Sequence, residues 1–424
     1  MRARGELARR LGTADAVTVG LGSIIGAGVF AVFAPAARAA GGWLLVGLVV
    51  AAVVAYCNAT SSARLAARHP ESGGTYVYGR ERLGPFWGYL AGWAFVVGKT
   101  ASCAAMALTF AAYAAPGYER PVAVAAVLAL TALNWRGVHK SVLATRVIVA
   151  VVLAVLAAVV VAAAGAPAAD LSDVLGGDPF RPLAVLQAAG LIFFAFAGYA
   201  RIATLGEEVR DPARTIPRAI PLALLIAFVV YAAVAVAALA VLGPDRLAAA
   251  SAPLADLVAA AGAGWLAPVV RAGAAVAALG SLLALILGVS RTTFAMARDR
   301  HLPAALDAVH PRYRVPHRAE LAVGLVVAVV AATADLRAAI GFSSVGVLLY
   351  YAIANASALR LRPDENRPVR AVPIVGLVGC VVLAAALPLA SVLVGLAVIA
   401  LGAVIYVMRR GARASFASTR TPSG

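Results

Sequence analysis

Gly22-Ser23-Ile24-Ile25-Gly26-Ala27-Gly28-Val29-Phe30 lies in the middle of the first long apolar segment, 14–37. Three glycines fall within seven residues, and each costs a helix interior about 1 kcal/mol relative to alanine. In lipid an unpaired backbone group costs several kcal/mol more. A glycine cluster at mid-bilayer depth therefore predicts a helix break whose freed N–H and C=O groups meet another helix, water or a ligand. A ligand carrying both a carboxylate and an ammonium suits such a break. Phe193-Phe194-Ala195-Phe196-Ala197-Gly198-Tyr199 predicts a second interruption, at the centre of the sixth apolar segment. Two interrupted segments in corresponding halves point to a transporter's binding site.

Composition sets the class. The chain has 424 residues, of which 63% are hydrophobic and 13% charged, with a mean hydropathy of +0.92; a soluble protein carries about 25% charged residues. Twelve apolar spans are expected, over 14–37, 41–65, 85–114, 118–135, 142–164, 183–204, 216–242, 267–296, 319–335, 338–359, 372–388 and 389–408. The reading is an all-α integral membrane protein. The polar N-terminus, Met1 to Glu6, predicts no cleaved signal peptide. Cys57, Cys103 and Cys380 all fall inside apolar segments, which predicts no disulfide and no metal site. His69, His139, His301, His310 and His317 lie in loops without metal-ligand or triad spacing, so neither enzyme chemistry nor a cofactor is expected.

The net charge of +17 does not imply nucleic acid, because the arginines cluster in alternate loops. Arg2, Arg4, Arg9 and Arg10 fall on one side, with Arg64, Arg68, Arg80 and Arg82, Arg210, Arg214 and Arg218, Arg298 and Arg300, Arg360 and Arg362, and Arg409 and Arg410. Glu119, Asp170, Asp245, Asp256 and Asp335 fall on the other. The positive-inside rule then makes both termini cytoplasmic, in a multi-pass protein of the plasma membrane.

Features recur five spans apart. Spans one and six are interrupted, spans four and nine are short, and a longer semi-polar connection follows spans two and seven. An odd offset inverts topology, which predicts a five-plus-five inverted repeat. The expected divisions are a tail at 1–13, a first repeat at 14–164, a second at 183–359, two further helices at 372–408 and a second tail at 409–424.

Four stretches carry a resemblance. Gly22 to Phe30 resembles the first-helix signature of the amino acid–polyamine–organocation permease superfamily. Pro70-Glu71-Ser72-Gly73-Gly74-Thr75-Tyr76 is similar to its motif between helices two and three. Phe193 to Tyr199 running into Glu207-Glu208-Val209-Arg210-Asp211-Pro212 is the strongest match, and Ser290-Arg291 through Leu302-Pro303 resembles its helix-eight exit. The resemblance implies the LeuT-like inverted-repeat fold and import or exchange of amino acids or related amines. It further implies that Ser23, Ile25, Gly26, Ala27, Gly28, Phe194, Ala195, Phe196 and Ala197 bind substrate. The amides of Gly26, Ala27 and Gly28 would take its carboxylate, and the carbonyls of Ile25, Phe194, Ala195 and Ala197 its ammonium. Half-helix N-termini attract anions, and unwound carbonyls attract cations. The chain departs from proton-coupled members that carry a lysine in helix five, since Val152 stands at that place.

Lys99 is a charge in the middle of span three, and such residues face a cavity or a functional path. It reads either as a coupling ammonium replacing the missing one in helix five, as a counter-charge, or as a structural ammonium on carbonyls freed by the breaks. Glu207 and Glu208 read as an inner-gate pair or as a solvated interfacial pair. Asp15 reads as a cap of helix one or as a gate residue. Phe194 and Phe196 are favoured over Tyr199 to face the cavity. Thr100, Ser281 and Ser290 could offer sodium ligands or bond their own helices. The expected function is secondary transport of an amino acid, neutral side chains favoured, coupled to protons, with membrane lipid as its solvent. Obligate exchange is the alternative. A channel or receptor is a third class, but no filter segment or ring of charges appears. Oligomeric state is not readable.

Overall fold

The computed structural model describes residues 12–69, 73–137, 142–167, 169, 179–199 and 209–418. Among them the chain is helical: α1 (Thr13–Ile24), α2 (Gly28–Ala31), α3 (Phe33–Ala40), α4 (Leu44–Arg68), α5 (Thr75–Leu83), α6 (Pro85–Ala114), α7 (Glu119–Trp135), α8 (Val142–Ala164), α9 (Pro182–Phe196), α10 (Pro212–Ala249), α11 (Pro253–Ala260), α12 (Ala267–Arg298), α13 (His317–Thr333), α14 (Leu336–Leu359), α15 (Ala371–Ala386) and α16 (Leu389–Ser418). A helix stands at each of the twelve expected spans. Nine helical stretches among the described residues are long and apolar enough to cross a membrane. The shorter helices α7, α13 and α15 have 17, 17 and 16 residues.

Local chemistry fixes the boundaries. Pro85 and Pro182 open α6 and α9 in the first turn, where a missing N–H costs nothing. Asp335 Oδ1 caps α14 by accepting the Ala338 N–H at 2.8 Å. The long α10 bends at Gly243, whose φ of 68° is followed by Pro244. The two semi-polar connections each fold into a short helix, α5 after the second span and α11 after the seventh.

Packing partners also recur with a five-span offset. The contact of α4 with α9 is matched by that of α10 with α1, and α6 on α14 by α12 on α8. The pair α14–α4 is matched by α8–α10, while α6–α12 and α7–α13 map onto themselves. Helices α6 and α14 lie at the centre and α16 at the rim, with Leu393, Leu396, Leu401 and Val404 turned outward. The central pair packs through small residues, as helices in lipid do. A β-carbon on Gly346 would stand 2.9 Å from Ala94 O and from Gly98 Cα.

The Arg-rich face is tied by one carboxylate. Glu365, just beyond α14, accepts Arg82 Nη2 at 2.7 Å and Nη1 at 2.9 Å, and Arg68 Nε at 3.1 Å. Arg82 Nε also lies 3.2 Å from His69 Nε2. The paired Arg82, chiefly, holds the Glu365 carboxyl down at about 2. The loop after α14 is thus anchored to the end of α4 and to α5.

Two outcomes follow from this packing. Gly346→Leu forces α6 and α14 apart and is expected to destabilise the detergent-solubilised protein by about 1–3 kcal/mol, read as a lower unfolding temperature. Because the Glu365 carboxyl is depressed in the folded state, its stabilisation is complete above its ordinary value of about 4.3 and is lost as pH falls through the folded value. A melting series from neutral to strongly acid pH is expected to show a decline that Glu365→Gln flattens.

Candidate functional site

Helix α1 stops at Ile24 because three glycines weaken it there. Ile25 leaves helical geometry with φ −82° and ψ 59°, while its N–H still reaches Leu21 O at 2.6 Å. Helix resumes at Gly28 and runs on to Ala40 through a bend at Val32. The second interruption is a tightening: α9 ends at Phe196, and Ala197–Tyr199 form a 3₁₀ turn. Glu207 and Glu208 lie outside the described residues, as do Pro70, Glu71 and Ser72.

The two interruptions lock together, running antiparallel. A β-carbon on Gly28 would stand 2.8 Å from Ala195 Cα. One on Gly198 would collide with the Ser23 carbonyl. Glycine is required at both because backbone meets backbone. Tyr231, from α10, spans both breaks: its hydroxyl lies 2.7 Å from Ile24 O and 3.2 Å from Ala195 O. A cavity of about 20 Å³, room for one water, touches the first break between Gly22, Ile25, Gly26, Thr145, Ile148 and Ser281.

Lys99 is buried in α6 and donates from Nζ to Ala197 O at 3.3 Å. The Tyr351 hydroxyl of α14 donates to the same oxygen at 3.3 Å. Tyr351 stacks on Tyr199 with ring centroids 4.9 Å apart. The lone cation of span three and the second break therefore form one site. Ala197 O, which the resemblance assigns to substrate ammonium, holds the protein's own ammonium here.

The other candidates fall into place around it. Ala27 and Ile25 are buried at the first break, and Ser23 Oγ returns to Val19 O at 3.1 Å. Phe194 O accepts the Ala197 N–H. Phe196 is wholly buried against Tyr231, centroids 5.1 Å apart, so its ring serves the contact of α9 with α10; Phe194 retains slight exposure. Thr100 Oγ1 and Ser290 Oγ bond Val96 O and Ile286 O of their own helices, each at 2.7 Å, whereas Ser281 faces Gly26. Asp15 does two jobs, accepting the Gly12 N–H at 3.1 Å and pairing with Arg146 of α8.

The sequence matches the profile of the amino acid permease family over residues 11–412. The chain belongs to that family. An uncharacterised transporter of Mycobacterium tuberculosis is 71% identical over 405 residues, 96% of this chain and 92% of the relative. The branched-chain amino acid permease BcaP of Bacillus subtilis is 27% identical over 387 residues, 85% of this chain and 82% of its own. A vacuolar cationic amino acid transporter of Arabidopsis thaliana, number 4, is 29% identical over 398 residues, 86% of this chain and 65% of its own. The permease is thus a multi-pass membrane transporter and not an enzyme.

Sequence reasoning missed Tyr231 and Tyr351, the two hydroxyls that serve the permease's breaks. Each is a tyrosine on an apolar helix, and the available signal was that a buried hydroxyl needs a partner. It also missed a polar knot beside the second break, where Asn355 Nδ2 donates to Asn58 Oδ1 and Ser61 Oγ to Asn355 Oδ1, both at 2.6 Å.

The interlock gives a paired test. Gly198→Ala is expected to abolish uptake and lower the unfolding temperature, because its β-carbon strikes backbone that cannot rotate away. Gly288→Ala on α12, where nothing lies within 4 Å, is expected to leave both unchanged.

Proposed function

We propose that this permease is a secondary active transporter that moves an amino acid or related small amine by alternating access, coupled to protons. The observation that supports it most directly is the pair of interlocked helix breaks with Lys99 at their junction. Unwound backbone offers N–H groups near Gly26, Ala27 and Gly28 for a carboxylate, and carbonyls for an ammonium. Neutral side chains are favoured, since no carboxylate among the described residues stands at mid-helix beside the breaks. The relatives named for branched-chain and for cationic amino acids bracket this choice.

The proposed frame is two inverted halves, 14–164 and 183–359, followed by helices at 372–408. The Arg-rich face is cytoplasmic and the membrane is the plasma membrane, by the charge rule. Substrate reaches the breaks from either face as the half-helices of the first and sixth spans reorient. Lys99 carries the coupled proton: an amine held in a protein interior can exchange its proton near neutral pH, and α8 offers Val152 where a helix-five lysine would stand.

Purified protein in proteoliposomes, given a panel of radiolabelled amino acids with and without a pH gradient, tests the proposal. Wild type is expected to transport at least one amino acid with a rate that the gradient changes. Lys99→Ala is expected to insert normally and lose that gradient dependence. Transport that requires only amino acid on the opposite side, indifferent to pH and to the substitution, would make the protein an obligate exchanger.

A further inference from the structure

The Ala197 carbonyl at the second break is already served. A carbonyl oxygen has two acceptor lone pairs, and Ala197 O receives two donors, Lys99 Nζ and the Tyr351 hydroxyl, each at 3.3 Å. Phe194 O takes the Ala197 N–H, and Ala195 O lies 3.2 Å from the Tyr231 hydroxyl, whose single proton is shared with Ile24 O at 2.7 Å. The break thus already holds one cation, and it belongs to the protein. A substrate ammonium can take the Ala197 oxygen only by displacing a donor. If Lys99 stays charged beside it, two ammoniums face each other in a buried site with no carboxylate of the described residues between them.

Among the described residues, the surroundings of Lys99 hold no other charge bonded to it. Cys103 lies on its own helix, and the Tyr351 and Tyr199 hydroxyls come from α14 and the 3₁₀ turn. The helices packed on α6 carry their charges elsewhere: Arg80 of α5 on Glu81, Glu119 of α7 on Gly117, Arg271 of α12 on Tyr113 O, Arg298 of α12 over Phe294, and Arg409 of α16 on Arg300 O. Glu320 of α13 is buried nearer Arg291. None of these is bonded to Lys99.

We propose that the substrate ammonium and the proton on Lys99 are competing ligands of the Ala197 carbonyl, so that each amino acid bound expels one proton. This rests on the amino acid reading above and gives its coupling a sign. Ligands that exclude one another are carried in opposite directions by an alternating-access carrier, because each state of the site holds one or the other. Linkage makes the effect reciprocal: acid weakens substrate binding as much as substrate weakens proton binding. An inward proton gradient then drives the substrate outward.

Calorimetry on the full-length detergent-solubilised protein tests this. The standard L-amino acids are first screened by thermal shift. The binder is then titrated at fixed pH in buffers of different ionisation enthalpy, which counts protons released. Wild type is expected to release up to one proton per amino acid bound. Its affinity is expected to rise with pH, approaching tenfold per unit below the pH at which Lys99 loses its proton and levelling off above it, as one competing proton requires. Lys99→Met is expected to release none and to bind independently of pH. Lys99→Arg keeps a permanent charge and a similar length; it is expected to bind at least tenfold more weakly, also without proton release. Proton uptake by wild type, no proton exchange at any pH from about 6 to about 9, or unchanged release from Lys99→Met would overturn the competition while leaving the amino acid reading standing. Failure of every amino acid to bind would remove both.

Discussion

Backbone polar groups cannot be left unpaired inside a membrane, and the centre of this permease is built on that constraint. Two helices are interrupted at the same level, and each interruption releases carbonyls that need donors. Tyr231 supplies one hydroxyl to Ile24 O and Ala195 O. Lys99 and Tyr351 together supply two donors to Ala197 O. The breaks persist because these three side chains, from three different helices, satisfy what the helices gave up. Under the proposed function, the same break is where the substrate binds.

Glycine makes the interlock possible in a second way. Gly28 and Gly198 let the two unwound segments approach backbone to backbone, so the freed groups of each can be reached from the other. The central helices α6 and α14 use the same device at Gly98 and Gly346. Close packing there brings Lys99 and Tyr351 onto one carbonyl. The polar knot of Asn58, Ser61 and Asn355 stands behind it, joining α4 to α14. At the Arg-rich face Glu365, just beyond α14, is tied to α4 through Arg68 and to α5 through Arg82. The site is thus held from its back and from one end, while the first break faces a small cavity.

The charge placement follows the same economy. Lys99 is the cation at the heart of α6, and its bond runs to a carbonyl dipole instead of a carboxylate. A full ion pair would neutralise the site and hold it shut. A dipole partner is weaker and, under the proposal, leaves the amine able to give up its proton to a competing ammonium.

Much of this was legible in the chain itself. Apolar runs of sufficient length and glycine clusters are local properties, so the all-helical membrane architecture and the first break near Gly26 could be read without a structure. The matching of features five spans apart was readable too, and packing partners recur with that offset. Lys99 was visible as an anomaly, because a charge amid apolar residues is conspicuous in any window. Its partner was not visible: which carbonyl meets an amine 98 residues away depends on how α6, α9 and α14 pack, and no local pattern encodes that register. Phe196 was assigned to the cavity for the same reason; an interrupted helix has no fixed period, so the direction of its ring is set by contact with Tyr231. The hydroxyls of Tyr231 and Tyr351 looked like packing until the freed carbonyls stood beside them. Sequence determined where the backbone must break, because helix propensity is local; tertiary structure alone decided who satisfies the break, because hydrogen bonds in lipid are made between helices distant in the chain.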